Sequence, residues 1–572
     1  MNFTKKIHGN NPLGIFNLNS WILYYDKNWL RADILAGLTV WGMIIPEVIA
    51  YAVMAGLPPQ AGIYTVLAAL LVYIFFGSSR HLIVTTTSAA AILLAATIID
   101  QNPADTAVYL SLATAIVFLV GIFYLISAVI KLGFITQFIS RPVMKGFFSG
   151  LAIYIIINQL PKIFGIERIS GSTIDQLGNL FASLGHTNFV TLLISVSALG
   201  LLYILGSINK RIPVGLLALA LGIAASAWFG LGEYGVKVVG EINAGLPVFV
   251  IPHLKDINLW ILVPGAVGIA LVVYSESLGA AEALADKHNY EINSNKELFA
   301  LSLANLGSSM FGGLIAGGSM SQTATAESAG AKSQMTSLVA LILSFITIIA
   351  FSLVFKNLPQ AILASIIIFA VSHLVKFKDI RLYYKYEKIE FILCLIAFFG
   401  VLFIGVLKGL IIAMALSLVW FIYKSIHESG SVLGISTSIP GRYVDIKRHS
   451  GCKTIPGLII YRVNSPIYYA NAKYIIKHIE NEIDNSEHLV RALALDLGVN
   501  DYLDITSAEE LKKLFEKFKS QNINLFLIDV HAPVIKIAKE IIGSKYLSDK
   551  SLFANIDIAV DYYKKSKKEK HE

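Results

Sequence analysis

This 572-residue chain is poor in cysteine and in charge: it has two Cys, and Asp, Glu, Lys and Arg together make up 15% of it. Cys394 lies in an apolar run, and Cys452 has only His449 close by in sequence, so neither a disulfide framework nor a metal or redox motif can be drawn. No Gly-Lys pair occurs, which excludes a Walker A loop, and HExxH and GxSxG are missing too. ATP hydrolysis, zincin chemistry and serine-hydrolase chemistry therefore lack their usual marks, and we expect no enzyme and no cofactor. What the chain does have is apolar surface: 55% hydrophobic residues and a mean hydropathy of +0.67, too high for an ordinary soluble protein. The net charge of +8 does not require nucleic acid, because much of the basic excess sits in short loops and in the tail Lys564, Lys565, Lys567 and Lys568.

Apolar stretches of about 20 residues recur from Ile34 to Tyr423, whereas Ile439–Glu572 has the composition of a soluble domain. The expected division is a cytoplasmic N-terminal segment (1–32), a transmembrane domain (33–425), a small α/β domain (437–563) and a basic tail (564–572). Met1–Lys6 has the basic start of a signal peptide without its apolar core, which indicates an uncleaved polytopic protein. Trp21, Tyr24, Tyr25 and Trp29 fall at helical spacing, as in a helix lying at the headgroups or packed in the cytoplasm. Gly, Pro and polar punctuation divides the apolar region into about 14 segments. Alternating the loops gathers Arg80, Lys131, Arg141, Lys145, Lys210, Arg211, Lys287, Lys296, Lys332, Lys376, Lys378, Arg381, Lys385 and Lys388 on the side of the termini, against Lys162, Lys237 and Lys356 opposite. The positive-inside rule then puts both termini in the cytoplasm, with the chain in the inner (cytoplasmic) membrane.

Two segments break the hydropathy pattern. His81-Leu-Ile-Val-Thr-Thr-Thr-Ser-Ala-Ala-Ala opens with clustered hydroxyls, and Gly317-Gly-Ser-Met-Ser-Gln-Thr-Ala-Thr-Ala-Glu is too polar to face lipid throughout. Each reads as extended backbone leading into a half-helix. Their separation of about 235 residues makes them the third and tenth segments, equivalent positions in two inverted halves of about seven segments each. Two such helix starts would aim unpaired N–H groups and positive dipole ends at one point near the midplane, which suits an anion. Ordinary helix packing through small residues uses the same amino acids.

At this point the motifs become specific. Gly37-Leu-Thr-Val, Ile45-Pro-Glu, Ala50-Tyr-Ala, Ala55-Gly-Leu-Pro-Pro-Gln-Ala-Gly-Ile-Tyr and Phe76-Gly-Ser-Ser-Arg-His-Leu closely resemble the signature of the SulP anion transporters, as do Glu276-Ser-Leu, Asn305, Gly312-Gly313 and Gly318-Ser-Met-Ser. The resemblance covers nearly the whole chain, including a C-terminal STAS domain. It implies an all-α membrane domain in a seven-plus-seven inverted repeat like that of uracil permeases, a core moving against a gate, and a homodimer. Its pocket would be walled by the first, third, eighth and tenth segments. From the first come Glu47, where many relatives have Gln, and Tyr51. From the third come Thr85 and Thr86, in place of the usual Gly-Pro, then Thr87, where an aromatic is common, and Ser88. From the tenth come Ser321, Gln322 and Thr323, with Gln322 where many relatives have Arg.

An acid in mid-membrane costs about 2.5 kcal/mol or more when charged, so Glu47 and Glu276 must face a cavity, pair, or take up a proton. By resemblance to bacterial and plant members, Glu276 is the proton-coupling residue, with Glu47 as the other candidate. Proton uptake beside a bound oxyanion and uptake of the anion itself favour each other, which is the thermodynamic core of a symporter. Glu327, a turn beyond, is expected to pair with Lys332 rather than bind substrate. The expected function is proton-coupled sulfate transport, with bicarbonate or a C4-dicarboxylate as other cargo and Na+ as another coupling ion. An uncoupled anion channel has no need of two buried acids, and an anion sensor signalling through STAS would show no flux.

The soluble region agrees: Gly457–Val463, Ala492–Leu497 and Ile523–Val530 read as strands, Ala470–Ile483 and Ser507–Ser520 as helices. In Asp504-Ile-Thr-Ser, Thr506 or Ser507 is expected to cap the second helix or, as in related regulatory proteins, to accept phosphate. A cytoplasmic protein partner of this domain is a further expectation.

Overall fold

The computed structural model describes Trp21 and residues 25–568, apart from 100, 102, 139, 168–172, 209–213, 241–248, 250–257, 351–353, 373–374, 376, 429, 440, 450, 544–546 and 548–550. Met1–Lys6, Tyr24, Lys210, Arg211 and Lys376, invoked above, lie outside the described residues, as does the end of the tail from 569. The chain divides into two compact units, Met1–Ser417 and Leu418–Glu572.

The first unit is helical. Its first half runs α1 (Leu30–Met54), α2 (Gln60–Phe76), β1 (Val84–Thr85), α3 (Ser88–Ile99), α4 (Thr106–Val129), α5 (Arg141–Phe164), α6 (Thr173–Ser183), α7 (Phe189–Ile208) and α8 (Val214–Phe229). The second half runs α9 (Leu259–His288), α10 (Ser294–Met310), β2 (Gly317–Gly318), α11 (Met320–Ser328), α12 (Met335–Ala350), α13 (Gln360–Ser372), α14 (Phe377–Tyr386), α15 (Lys388–Phe399) and α16 (Val406–His427). Among the described residues six helices are long and apolar enough to cross a bilayer, and five more are apolar but shorter. Helices suit these residues because a backbone in hydrocarbon must satisfy its own N–H and C=O groups. Near the N-terminus the described residues hold a 3-10 turn, Lys27–Trp29, with Tyr25 edge-on to Trp21 and Trp29.

The helices pack in two groups. α4 lies on α10 and α9, α1 on α12 and α2, and α2 on α10; separately, α5 lies on α15 and α13, and α7 on α13 and α8. The first group holds the two broken segments. β1 and β2 pair antiparallel, Val84 opposite Gly318 and Thr85 opposite Gly317, so the chain's two halves meet backbone to backbone. Glycine is required there for close approach. A Cβ on Gly317 would stand 2.3 Å from Val273 Cγ1, and one on Gly318 would stand 2.8 Å from Leu82 Cδ1 and 3.0 Å from Ser277 Cα.

The second unit contains a six-stranded sheet in the order β4-β3-β5-β6-β7-β8. The strands are β3 (Gly430–Ile435), β4 (Tyr443–Asp445), β5 (Leu458–Val463), β6 (Ala492–Asp496), β7 (Asn524–Ile528) and β8 (Leu552–Phe553). β3 runs antiparallel to β4 and β5, and β5 through β8 are parallel. The parallel strands need crossovers, supplied by α17 (Ala472–Asp484), α18 (Ile505–Ser520) and α19 (Ala532–Ile541), while α20 (Ile556–Lys568) follows β8. Ile475, Ile479, Leu511, Leu514 and Phe515 pack on one face of the sheet, and Ala559, Val560 and Tyr563 of α20 on the other. All five expected elements are present. The sheet nevertheless starts at Gly430, ahead of the expected boundary at 437, and the basic stretch from Lys564 continues α20 as helix to Lys568.

Candidate functional site

The antiparallel pair sets up the site. Beyond the ladder, the Ser319 N–H donates to Ile83 O at 3.0 Å and the Ile83 N–H to Thr323 Oγ1 at 3.0 Å, locking the start of α11 to the extended lead-in of α3. α11 begins with Ser319 as its cap, the hydroxyl accepting from the Gln322 N–H. At the start of α3, Thr87 Oγ1 accepts from the Ala90 N–H at 3.2 Å, so Thr87 caps this helix in the same way. Both half-helices therefore begin beside the crossing, where their first N–H groups and dipole ends favour negative charge.

Two side-chain chains run from this crossing to the flanking helices. Thr85 Oγ1 donates to Gln322 Oε1 at 2.7 Å, and Gln322 Nε2 donates to Glu47 Oε2 at 2.9 Å. Glu47 follows Pro46 inside α1 and is 6% exposed. On the other side the Thr87 hydroxyl donates to Glu276 Oε2 of α9 at 3.2 Å. Tyr51, buried on α1, is within electrostatic reach of both acids. Thr86 is fully buried and its hydroxyl has no hydrogen-bond partner among the described residues, an uncommon state for a buried polar atom. Ser88 is half-buried; Ser321 is exposed, its Oγ 3.2 Å from Ser319 Oγ. No Lys or Arg among the described residues forms an ion pair with Glu47 or Glu276. The described residues also hold no group of His, Cys, Asp and Glu suited to a metal ion.

Thr85, Gln322 and Glu47 thus meet, as do Thr87 and Glu276, while Ser277 and Asn305, named above only within the signature, and Glu297, absent from it, take roles that were not anticipated. Ser277, next to Glu276, accepts from the Gly318 N–H at 2.7 Å and so fixes β2 to α9. Asn305 clamps the approach to β2 with both ends of its amide, donating to Ala316 O at 2.9 Å and accepting from the Ala316 N–H at 3.0 Å. Glu297 of α10 holds the loop before β1, accepting from the Ser78 N–H at 2.7 Å and the Ser79 N–H at 3.2 Å. An acid in the first turn after the cap Asn293 reads as a helix-dipole partner, which hid this role. One expectation is corrected: Glu327 pairs with Lys287 at 2.8 Å and lies 3.5 Å from His288, whereas the Lys332 N–H goes to Asp33 at 2.7 Å. The ends of α9 and α11 converge, and that brings Lys287 to Glu327.

In the second unit the cap of α18 is also corrected. Asp504 accepts from the Ser507 N–H at 3.0 Å, and Ser507 Oγ, buried, donates to the other carboxylate oxygen at 2.8 Å. The hydroxyls of Thr506 and Ser507 do not cap, because the helix starts at Ile505 and places both within its first turn; Thr506 faces outward and is exposed.

Broken helices crossing at buried hydroxyls and acids, within a multi-pass helical unit followed by an α/β domain, define a membrane transporter and not an enzyme. Residues 30–397 match the profile of the Sulfate permease family and residues 444–557 that of the STAS domain, and the chain belongs to this family of anion transporters. It is 30% identical over 490 residues to "Probable sulfate transporter MT1781" of Mycobacterium tuberculosis, covering 86% of this chain and 87% of that one. It is 31% identical over 543 residues to "Probable sulfate transporter 4.2" of Arabidopsis thaliana, covering 91% and 79%. The fold is similar to that of the murine Solute Carrier 26 family member A9 anion transporter in its inward-facing state (TM-score 0.86, 24% identity, 95% and 93% covered). It is also similar to the transmembrane domain of the cyanobacterial bicarbonate transporter BicA (TM-score 0.61, 22% identity, 70% and 98% covered).

Proposed function

We propose that the protein carries sulfate into the cell by proton-coupled symport, with Glu276 as a proton carrier and Thr85, Thr86, Thr87, Ser88, Ser321, Gln322, Thr323, Glu47 and Tyr51 around the anion. The observation that carries this reading is the Thr87–Glu276 hydrogen bond at the start of α3, in a site where no cation among the described residues pairs with either acid. A divalent oxyanion held there without a fixed positive charge needs compensation, and protons on nearby carboxylates supply it. The relatives named as sulfate transporters favour sulfate as cargo.

Counting α1–α5, α7 and α8 against α9–α13, α15 and α16 gives two sets of seven, with α3 and α11 in equivalent places, which supports the inverted repeat. The two packing groups would be the core and gate whose relative motion gives alternating access. On this reading both termini face the cytoplasm, the protein is a homodimer in the inner membrane, and the STAS domain is open to a cytoplasmic protein partner. Thr506, the exposed hydroxyl of the pair, is then the phosphate acceptor.

The test is uptake of labelled sulfate into proteoliposomes under an inward proton gradient. Accumulation that a protonophore collapses is the expected result, and Glu276→Gln should lower the final accumulation at least tenfold. No sulfate uptake, with flux inhibited by bicarbonate, fumarate or nitrate, would move the cargo; sulfate flux indifferent to the proton gradient would overturn the coupling.

A further inference from the structure

Four acids of the membrane unit described above, Asp33, Glu47, Glu276 and Glu297, fall into two kinds; Glu327, also half-buried, is held by Lys287 instead. Asp33, fully buried in α1, accepts from the Lys332 N–H at 2.7 Å, the Ser333 N–H at 3.2 Å, Ser333 Oγ at 2.8 Å, Thr336 Oγ1 at 3.1 Å and Tyr25 OH at 3.2 Å. Glu297, 1% exposed, accepts from the Tyr73 hydroxyl at 2.8 Å, the Ser78 hydroxyl at 2.7 Å and the N–H groups of Ser78 and Ser79. Donors reach both oxygens of each carboxylate, which is how a buried charge is made tolerable. Glu47 and Glu276 are different: each has one neutral donor, the Gln322 amide and the Thr87 hydroxyl respectively. Among the described residues the same chain therefore builds full donor shells for Asp33 and Glu297 and withholds them from Glu47 and Glu276.

Among the described residues, the helices packed around Glu47 offer no free charge to balance its own. Of the elements packed on α1, helices α3, α8, α12 and α13 contain no Asp, Glu, His, Lys or Arg. α2 brings Tyr64 and Tyr73, the latter bound to Glu297, and α11 brings Glu327, paired with Lys287. Around Glu276, α4 brings Tyr109 and Tyr124, whose hydroxyls donate to Ala55 O and Ala270 O, and α10 brings Lys296 and Glu297. On α9 itself Tyr274 bonds to Gly133 O and Ser294 O, and Glu282, Asp286, Lys287 and His288 occupy the helix end.

We propose that Glu47 is a second proton carrier, so that each sulfate crosses with two protons, one on Glu47 and one on Glu276. This rests on the proton-coupled reading above. Protons from the outer solution neutralise the two carboxylates as the dianion enters between α1 and α9, and both protons leave to the cytoplasm with the sulfate. Two negative charges are replaced by two, and the site carries the same charge loaded and empty. The charge that moves inward with the loaded site returns with the empty one, so the complete cycle is electroneutral.

The test uses the full-length protein in proteoliposomes, with the membrane potential held at zero by potassium and valinomycin and labelled sulfate as the probe. At a pH difference of about one unit, two protons per sulfate give a final accumulation of about 100-fold and one proton about 10-fold. The wild type is expected near the first figure, Glu47→Gln and Glu276→Gln each near the second, and the double variant at no accumulation. A variant that is merely slower reaches the same final ratio later, so a structural role for Glu47 leaves the ratio unmoved. Transport currents provide the second readout: the wild type should give none, and Glu47→Gln should give one negative charge moved per sulfate. A wild-type ratio near tenfold that Glu47→Gln leaves unchanged, or equal currents in the two proteins, overturns the second carrier and leaves the symporter standing. A wild type that accumulates no sulfate removes both readings.

Discussion

The contrast between saturated and unsaturated acids makes a stability prediction that is independent of transport. Glu297→Gln keeps the shape of the side chain but removes the charge that strengthens the hydrogen bonds from Tyr73, Ser78 (hydroxyl and N–H) and Ser79. Hydrogen bonds to a charged group contribute roughly 1 kcal/mol more than neutral ones, so the four donors together lose about 4 kcal/mol. Part of this returns because an amide is cheaper to bury than a carboxylate, leaving a net loss of about 2–3 kcal/mol. For a unit of this size that corresponds to a fall in Tm of about 3 °C. The assay is thermal unfolding of the purified full-length protein in detergent, followed by intrinsic fluorescence. Glu47→Gln, measured alongside, loses one neutral hydrogen-bonding arrangement and no donor shell, and should melt within about 1 °C of wild type. If Glu297→Gln melts with the wild type, or if Glu47→Gln falls as far, donor saturation does not separate the two kinds of acid.

Other outcomes follow from the site and the sheet. Gln322→Ala cuts the chain from Thr85 to Glu47 and should raise the sulfate concentration for half-maximal uptake about tenfold, as read from a concentration series. Ser321→Ala should weaken affinity in the same direction, by less, because Ser321 is exposed. Gly62→Ala would put a Cβ 2.1 Å from Val48 O, one residue from Glu47, and should destabilise the α1–α2 contact by about 1–3 kcal/mol, visible as a lower Tm. Asp504→Ala should cost α18 about 1 kcal/mol and speed exchange of the Ser507 amide hydrogen, while Thr506→Ala leaves it protected. Mass spectrometry of the protein purified from the membranes of its own cells should find phosphate on Thr506 and none on the buried Ser507.

What could be read from the sequence was backbone, and what could not was side-chain partnership across the two halves. The hydroxyl cluster at Thr85–Ser88 and the Gly317–Gly318 pair announce two interrupted helices, because neither stretch can face lipid as helix and both lack the bulk to fill a core. The soluble strands and helices were equally legible from alternation and helical periodicity, and parallel strands oblige the crossovers that follow. Gln322, by contrast, meets Thr85 and Glu47 across sequence separations of 237 and 275 residues, and nothing local to Gln322 encodes either partner. The two corrected partners fail for a different reason, the exact placement of the backbone. Lys332 is near Glu327 in sequence, but the convergence of α9 with α11 brings Lys287 instead, 40 residues away. At α18, Asp504, Thr506 and Ser507 are all chemically able to cap, and only the backbone position of the first turn selects Asp504. The residues most easily missed were therefore those that hold the crossing in place: Ser277, Asn305 and Glu297 each reach from one segment to the backbone of another. Ser277 bonds to β2 itself, so its role becomes readable only once the pairing of β1 with β2 is known, whereas Glu297 collects four donors from α2 and the loop after it, an arrangement no local pattern encodes.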